Sequence, residues 1–340
     1  MAGGAQAALA EARALHAPVM LSEVLGALDP ARGGTFLDGT FGAGGYTVAL
    51  LEAGASRVVA IDRDPEAVVR GRAWADMFDG RLEIVEGRFG DLAALIAGAE
   101  PLAGAVFDIG VSSMQIDEAG RGFSFQKDGP LDMRMEGAGL SAADIVNQAG
   151  ETALADIFYL YGEERASRRI ARAIVAARAE APIEGTLALA EIVAKQLPRP
   201  KPGQPHPATR VFQALRIAVN DELGELVRAL FAAEAALAEG GVLVVVTFHS
   251  LEDRIVKRFF QAREGRGPRA SRHAPEFAVV EPTFELVVKQ AKASEEEIET
   301  NPRSRSAKLR AGRRTAAAPW PLSEKDLGLP ARPRLDGAHS

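Results

Sequence analysis

Gly34-Thr35-Phe36-Leu37-Asp38-Gly39-Thr40-Phe41-Gly42-Ala43-Gly44-Gly45 reads as a short apolar strand that ends in an acid and runs out into glycines. Glycine at Gly42, Gly44 and Gly45 lets the backbone take positive φ and lets a ligand approach closely, as larger residues would not. One strand-helix unit later Arg57-Val58-Val59-Ala60-Ile61 forms a second apolar strand ending in Asp62. In a doubly wound sheet that position carries the acid that holds a ribose. The pair points to a nucleoside-containing cofactor, against the plainer reading of Asp38 and its glycines as an ordinary strand-to-helix turn.

The dinucleotide fingerprint G-x-G-x-x-G is incomplete, because Gly42-Ala43-Gly44 is followed by Gly45-Tyr46-Thr47 and the third glycine is missing. S-adenosylmethionine has no pyrophosphate but carries a cationic sulfonium and an amino-acid tail. It calls for a carboxylate at the glycine turn as well as at the ribose, which Asp38 and Asp62 supply.

The 340-residue chain, 47% hydrophobic, can bury a large core. It has no cysteine, which excludes disulfides and thiolate chemistry and fits a reducing compartment. No apolar run reaches membrane-spanning length, and the N-terminal residues, which include acids, make a poor secretion signal. A cytoplasmic location is expected, with no membrane partner. A formal charge of −6 argues against indiscriminate coating of nucleic acid. Two runs without acids stand out locally: Arg165, Arg168, Arg169, Arg172 and Arg178, then Arg303, Arg305, Lys308, Arg310, Arg313 and Arg314. They read either as solvated faces or as contacts to a polyanion.

Further along, helical spacing covers residues 18–28 and 46–53, and Asp64-Pro65 opens a helix as N-cap and first-turn proline. Strands are expected at 82–85 and 105–109, the latter running into Asp108-Ile109-Gly110-Val111-Ser112-Ser113. This alternation predicts parallel strands with crossover helices. From about residue 114 to 207 the pattern is a glycine-rich loop followed by helices only, closed by the proline-rich 197–207. One long helix is then expected over 208–231, a buried strand over 241–247 ending at Phe248-His249-Ser250, and a final strand pair at 284–290 and 306–310. The expected domains are 1–113 and 208–315 for the two parts of the sheet, 114–207 for an inserted all-helical domain, and 316–340 for a flexible tail.

Ligands of open parallel sheets lie beyond the carboxyl ends of the strands, so Asp38, Asp62, Asp108 and His249 are expected to converge. Asp108 is the first candidate to accept the N–H of a target amine, although it could also cap the following turn. His249 is a candidate acceptor or relay, although a lone histidine at a strand end also serves structure.

These blocks resemble the ribosomal RNA small-subunit methyltransferase H, or MraW-like, family. The resemblance rests on Asp38 to Gly42, Ala60 to Pro65, Asp108 to Ser113, Arg121-Gly122-Phe123-Ser124-Phe125, Asp128 to Met135, Tyr161 to Arg165, His206 to Arg210, Phe248 to Arg254 and Asn301 to Ser306. It spans the chain from near residue 16 to near 314. It implies a class I S-adenosylmethionine-dependent methyltransferase, Rossmann-like with a mostly parallel doubly wound α/β sheet and an inserted all-helical domain. The implied activity is N4-methylation of a cytidine in the decoding region of 16S rRNA, with the small ribosomal subunit as partner. Implied cofactor contacts are Gly44, Gly45, Tyr46, Asp62, Phe89, Asp108 and Gln115. Tyr46 stands where the family often has histidine and Met114 where it often has proline.

On this reading Ser112, Ser113, Arg134, His206 and Arg210 face the RNA, and Phe123, Phe125 or Tyr46 receives an everted base. Asp132 and Arg134 could equally form an ion pair within the loop. No metal is expected. A nicotinamide-dependent oxidoreductase and a non-catalytic RNA-binding assembly protein are the alternative functions. The oligomeric state is not readable, a homodimer being one open case.

Overall fold

The computed structural model describes residues 18–265 and 281–333. The expectation about a secretion signal falls on residues that, up to 17, lie outside this range. The sheet strands are β1 (Thr35–Asp38), β2 (Arg57–Asp62), β3 (Leu82–Glu86), β4 (Leu102–Asp108), β5 (Leu237–Thr247), β6 (Phe284–Lys292) and β7 (Lys308–Arg314). They lie in the order β3-β2-β1-β4-β5-β7-β6. The first five are parallel, and β7 pairs antiparallel with both β5 and β6. Val242 to Val246 are fully buried, as a strand covered on both faces requires. β5 begins at Leu237, earlier than its valine run suggests.

The chain divides into two compact units. One runs to Gly110 and resumes over Leu223–Leu329; the other comprises Val111–Glu222, with residues 330–333. The sheet unit holds α1 (Leu21–Leu28), α2 (Gly45–Glu52), α3 (Pro65–Ala75) and α4 (Leu92–Leu95). The helical unit holds α5 (Ser113–Asp117), α6 (Ala142–Gln148), α7 (Glu151–Leu160), α8 (Ser167–Glu180), α9 (Thr186–Ala194) and α10 (Thr209–Asn220). The sheet unit resumes with α11 (Glu222–Ala236), α12 (Ser250–Arg263) and α13 (Glu295–Thr300). α1 starts at Leu21 because Met20 takes a left-handed φ of 53° and ends the helical path there.

The single helix expected over 208–231 is two. Asp221, at φ 51°, caps α10, and acidic residues tolerate this left-handed turn better than most. α10 buries Val211, Phe212 and Leu215 and packs on α7 and α6, so it joins the helical unit. The inserted unit therefore extends to residue 222, past the proline-rich segment.

The glycine-rich loop of the helical unit threads through itself. A Cβ on Gly122 would sit 2.2 Å from the Pro130 carbonyl oxygen, and one on Gly129 2.0 Å from that of Ala119. The tail also departs from expectation over residues 316–333, where Leu327 is buried and Trp320 lies on Arg263, with guanidinium and ring centroid 4.8 Å apart. Among the described residues no helix is long and apolar enough to cross a membrane.

Candidate functional site

The strand order reverses direction between β1 and β4, and such switch points leave a crevice beyond the strand ends. Asp38 ends β1 fully buried, accepting the Thr40 N–H at 3.1 Å and the Thr47 hydroxyl at 2.7 Å. Burial outweighs these bonds and pushes its carboxyl up to about 6. Asp62 ends β2 and accepts the Gly42 N–H at 2.7 Å and the Asp64 N–H at 2.8 Å. Burial raises its carboxyl as well. With the Arg63 N–H as a third backbone donor, the carboxylate keeps one lone pair for a hydroxyl.

Asp108 ends β4, and its backbone N–H donates to the Thr40 hydroxyl at 2.8 Å. Its Oδ1 is shut off from solvent with no hydrogen-bond partner among the described residues. Burial, then the charges of Asp38 and Glu252, hold its carboxyl well above the usual range. A buried acceptor without a donor signals a missing partner. The structure thus brings Asp38, Asp62 and Asp108 together at one edge of the sheet, where their fields favour a cation.

The glycine turn is shaped by close contacts. Gly42 takes φ 51°, and Gly44 takes φ 78° as N-cap of α2. A Cβ on Gly44 would meet the Trp74 ring at 2.4 Å, and one on Gly45 would meet Pro18 at 2.3 Å. Phe89 is half-buried, its ring 5.8 Å from that of Phe107.

Several expected roles change. Tyr46 is buried in the core and its hydroxyl donates to the Val19 carbonyl, so it cannot receive a base. His249 is the N-cap of α12, its Nδ1 accepting the Glu252 N–H at 3.4 Å. Its Nε2 lies 2.8 Å from Glu252 Oε1, and the Glu252 carboxylate accepts the backbone N–H groups of Phe248 and His249.

In the helical unit, Ser112 and Gln115 form a capping box at the start of α5. The Ser112 hydroxyl accepts the Gln115 N–H, and Gln115 Oε1 accepts the Ser112 N–H. Ser113 is the first residue of that helix. Arg134 closes a two-pronged ion pair with Asp132, at 2.9 and 2.6 Å, which ties its guanidinium to the loop. His206 and Arg210 are exposed. The His206 ring lies 4.8 Å from Phe125, which meets Phe212 edge-on at 4.7 Å. His206, Phe125, Phe212 and Phe123 line a cleft of about 720 Å³ within the helical unit; Arg210 does not.

Thr40, Thr47 and Glu252 were not singled out in the sequence. A Thr two residues after a strand-end Asp, and a Glu three residues after a helix cap, were the signals present.

Residues 13–315 match the family described as the MraW methylase family. The ribosomal RNA small subunit methyltransferase H of Parvibaculum lavamentivorans is 59% identical over 95% of this chain and 96% of its own length. The protein of the same name from Methylorubrum extorquens strain PA1 is 63% identical over 94% of this chain and 93% of its own. Among solved structures, an rRNA methylase from Streptococcus thermophilus aligns at TM-score 0.37 and 11% identity, covering 87% of this chain and 93% of that one, a likeness too remote to argue from.

Proposed function

The chain belongs to the MraW methylase family, and from that premise we propose that it transfers a methyl group from S-adenosylmethionine to N4 of a cytidine in the decoding region of 16S rRNA. The activity belongs in the cytoplasm, with the small ribosomal subunit as partner. Full-length relatives near 60% identity are named ribosomal RNA small subunit methyltransferase H, which supports rRNA methylation. The observation that carries the chemistry is the orphaned Oδ1 of Asp108 beside two further buried carboxylates.

The residues fit the cofactor. Asp62 has a lone pair left for a ribose hydroxyl, Gly42 and Gly45 leave backbone part-exposed around the start of α2, and the acidic trio suits a cation. When bound, S-adenosylmethionine supplies an electrophilic methyl on a positively charged sulfur.

A cytosine amine is a weak nucleophile because its lone pair is delocalised into the ring. It must be aligned with the methyl–sulfur axis, and its N–H must be given an acceptor. Asp108 provides that acceptor, and a nearby cation favours the ionised form that burial, Asp38 and Glu252 oppose. With the methyl-donating cofactor held at Asp62 and the glycine turn, the proton that the amine gives up would pass to the Asp108 carboxylate. Phe123 and Phe125 offer ring faces to a nucleobase of the RNA.

Mass-spectrometric mapping of modified nucleosides in rRNA from cells with and without the protein tests the reading. One N4-methylated cytidine should vanish in its absence. An unchanged nucleoside map would reject the assignment. Asp108→Asn should lose turnover by at least about a hundredfold, more than it loses cofactor affinity.

A further inference from the structure

The later arginine-rich run is partly absorbed, with Arg303, Arg305 and Arg313 left exposed, and the earlier one is mostly open. Lys308 and Arg310 both reach Asp253, at 3.0 and 2.8 Å. Arg314 is buried and donates to the carbonyls of Glu234, Thr283 and Thr315. Arg165, Arg168, Arg169 and Arg172 are all exposed instead. Of these four, only Arg172 has a carboxylate within ion-pair distance among the described residues, Glu151 at 3.7 Å, with both side chains in solvent.

Arg168, Arg169 and Arg172 share one side of α8, opposite buried Ile170, Ala171 and Ile174, and Arg165 stands just ahead of the first turn. Two observations separate this stripe from an idle solvated face. The first turn of α8 holds no acid, and its arginines sit at the positive end of the helix dipole. Glu164, just ahead of the helix, accepts the Ala166 N–H at 2.8 Å and offsets part of that positive charge, and a bound anion would offset more. Tyr159, an aromatic left 60% exposed, lies at the end of α7, which packs on α8 and is joined to it by the short turn through Glu163. In that turn the exposed Arg210 donates to the Glu163 carbonyl at 3.1 Å.

We propose that this exposed side of the α7–α8 pair is a docking surface for the sugar-phosphate backbone of RNA, with Tyr159 as a stacking platform for an unpaired base. The inference rests on the rRNA-methyltransferase reading and names residues that hold the strand. Guanidinium groups bind phosphate oxygens in pairs, and an exposed ring accepts any base face.

The test uses the full chain, a fluorescein-labelled 16S rRNA decoding-region fragment, and the triple variant Arg168→Ala, Arg169→Ala, Arg172→Ala. Anisotropy titrations are run across a salt series. Each lost phosphate contact removes roughly 0.7 to 0.9 from the slope of log affinity against log salt, so the variant should lose about 2 to 3 in slope and at least about tenfold in affinity at 0.1 M salt. The corresponding triple lysine variant should keep most of the slope. Tyr159→Ala should weaken binding several-fold without changing the slope. Wild-type affinity and slope in the folded triple-alanine variant, judged by circular dichroism and S-adenosylmethionine titration, would overturn the proposal. So would weaker binding at an unchanged slope, which would instead mark the stripe as a protein contact or a support for the fold. Methyl transfer by the wild type is measured separately, so failure of the functional reading leaves a different signature: RNA bound but no methyl incorporated.

Discussion

At the level of single residues, the site is governed by burial of carboxylates. Asp38 is raised from 3.8 to about 6 by burial. A folded-state value above the unfolded one means that its stabilising contribution is complete below about pH 4 and is lost as pH rises through about 6. The swing is about 3 kcal/mol. Urea unfolding of the ligand-free protein at pH 5 and pH 8 should therefore show a decline that Asp38→Asn reduces by about 1.4 kcal/mol, the raised carboxyls of Asp62 and Asp108 carrying the remainder; an equal decline in the variant would reject this origin. The same field predicts how the cofactor binds. A sulfonium next to Asp38, Asp62 and Asp108 favours their ionised forms, so S-adenosylmethionine should bind more tightly as pH rises from 5 to 7. S-adenosylhomocysteine, which lacks the sulfur charge, should gain less. Parallel slopes in calorimetric titrations of the two ligands would remove the acidic trio from the cation's neighbourhood.

For the elements, strand ends and helix caps divide the labour among residues that look alike in sequence. His249 ends the β5 segment and starts α12, so its ring is used as a cap toward Glu252. His249→Ala should cost about 1 kcal/mol, and His249→Asn, which retains an acceptor for the cap, should recover most of it. Methyl transfer should follow stability and be near wild type in the Asn variant. An Asn variant that is stable but inactive would return His249 to the chemistry. Ser112 was legible as a hydroxyl after a strand-end acid and Gln115 only through the family resemblance, and the structure uses their Oγ and Oε1 atoms as reciprocal capping acceptors. Arg134 was open between RNA and Asp132, and two-pronged geometry at short range decides for Asp132.

Across the whole molecule, charges far apart in sequence close the sheet unit. Arg263 and Glu234 pair at 2.7 Å with both side chains buried, and Thr283 donates its hydroxyl to the same carboxylate. Arg263 also donates to the Trp320 carbonyl at 2.7 Å, which ties down the segment read as a flexible tail. Glu234→Ala should destabilise the protein by about 3 to 5 kcal/mol in urea unfolding, because it strands a buried guanidinium; a change below about 1 kcal/mol would show that the network relaxes. The sequence by itself determined the parallel sheet, the glycine turn, the strand-end acids and the helical insertion, since each is written in local periodicity or in residues confined to a few positions. Only the tertiary structure decided which acids keep an unused lone pair, where the long helix breaks, which arginines are consumed by Asp253 and Glu234, and which stay free for a partner. Pairing depends on distances between segments tens to hundreds of residues apart, and no local pattern in the chain encodes those distances.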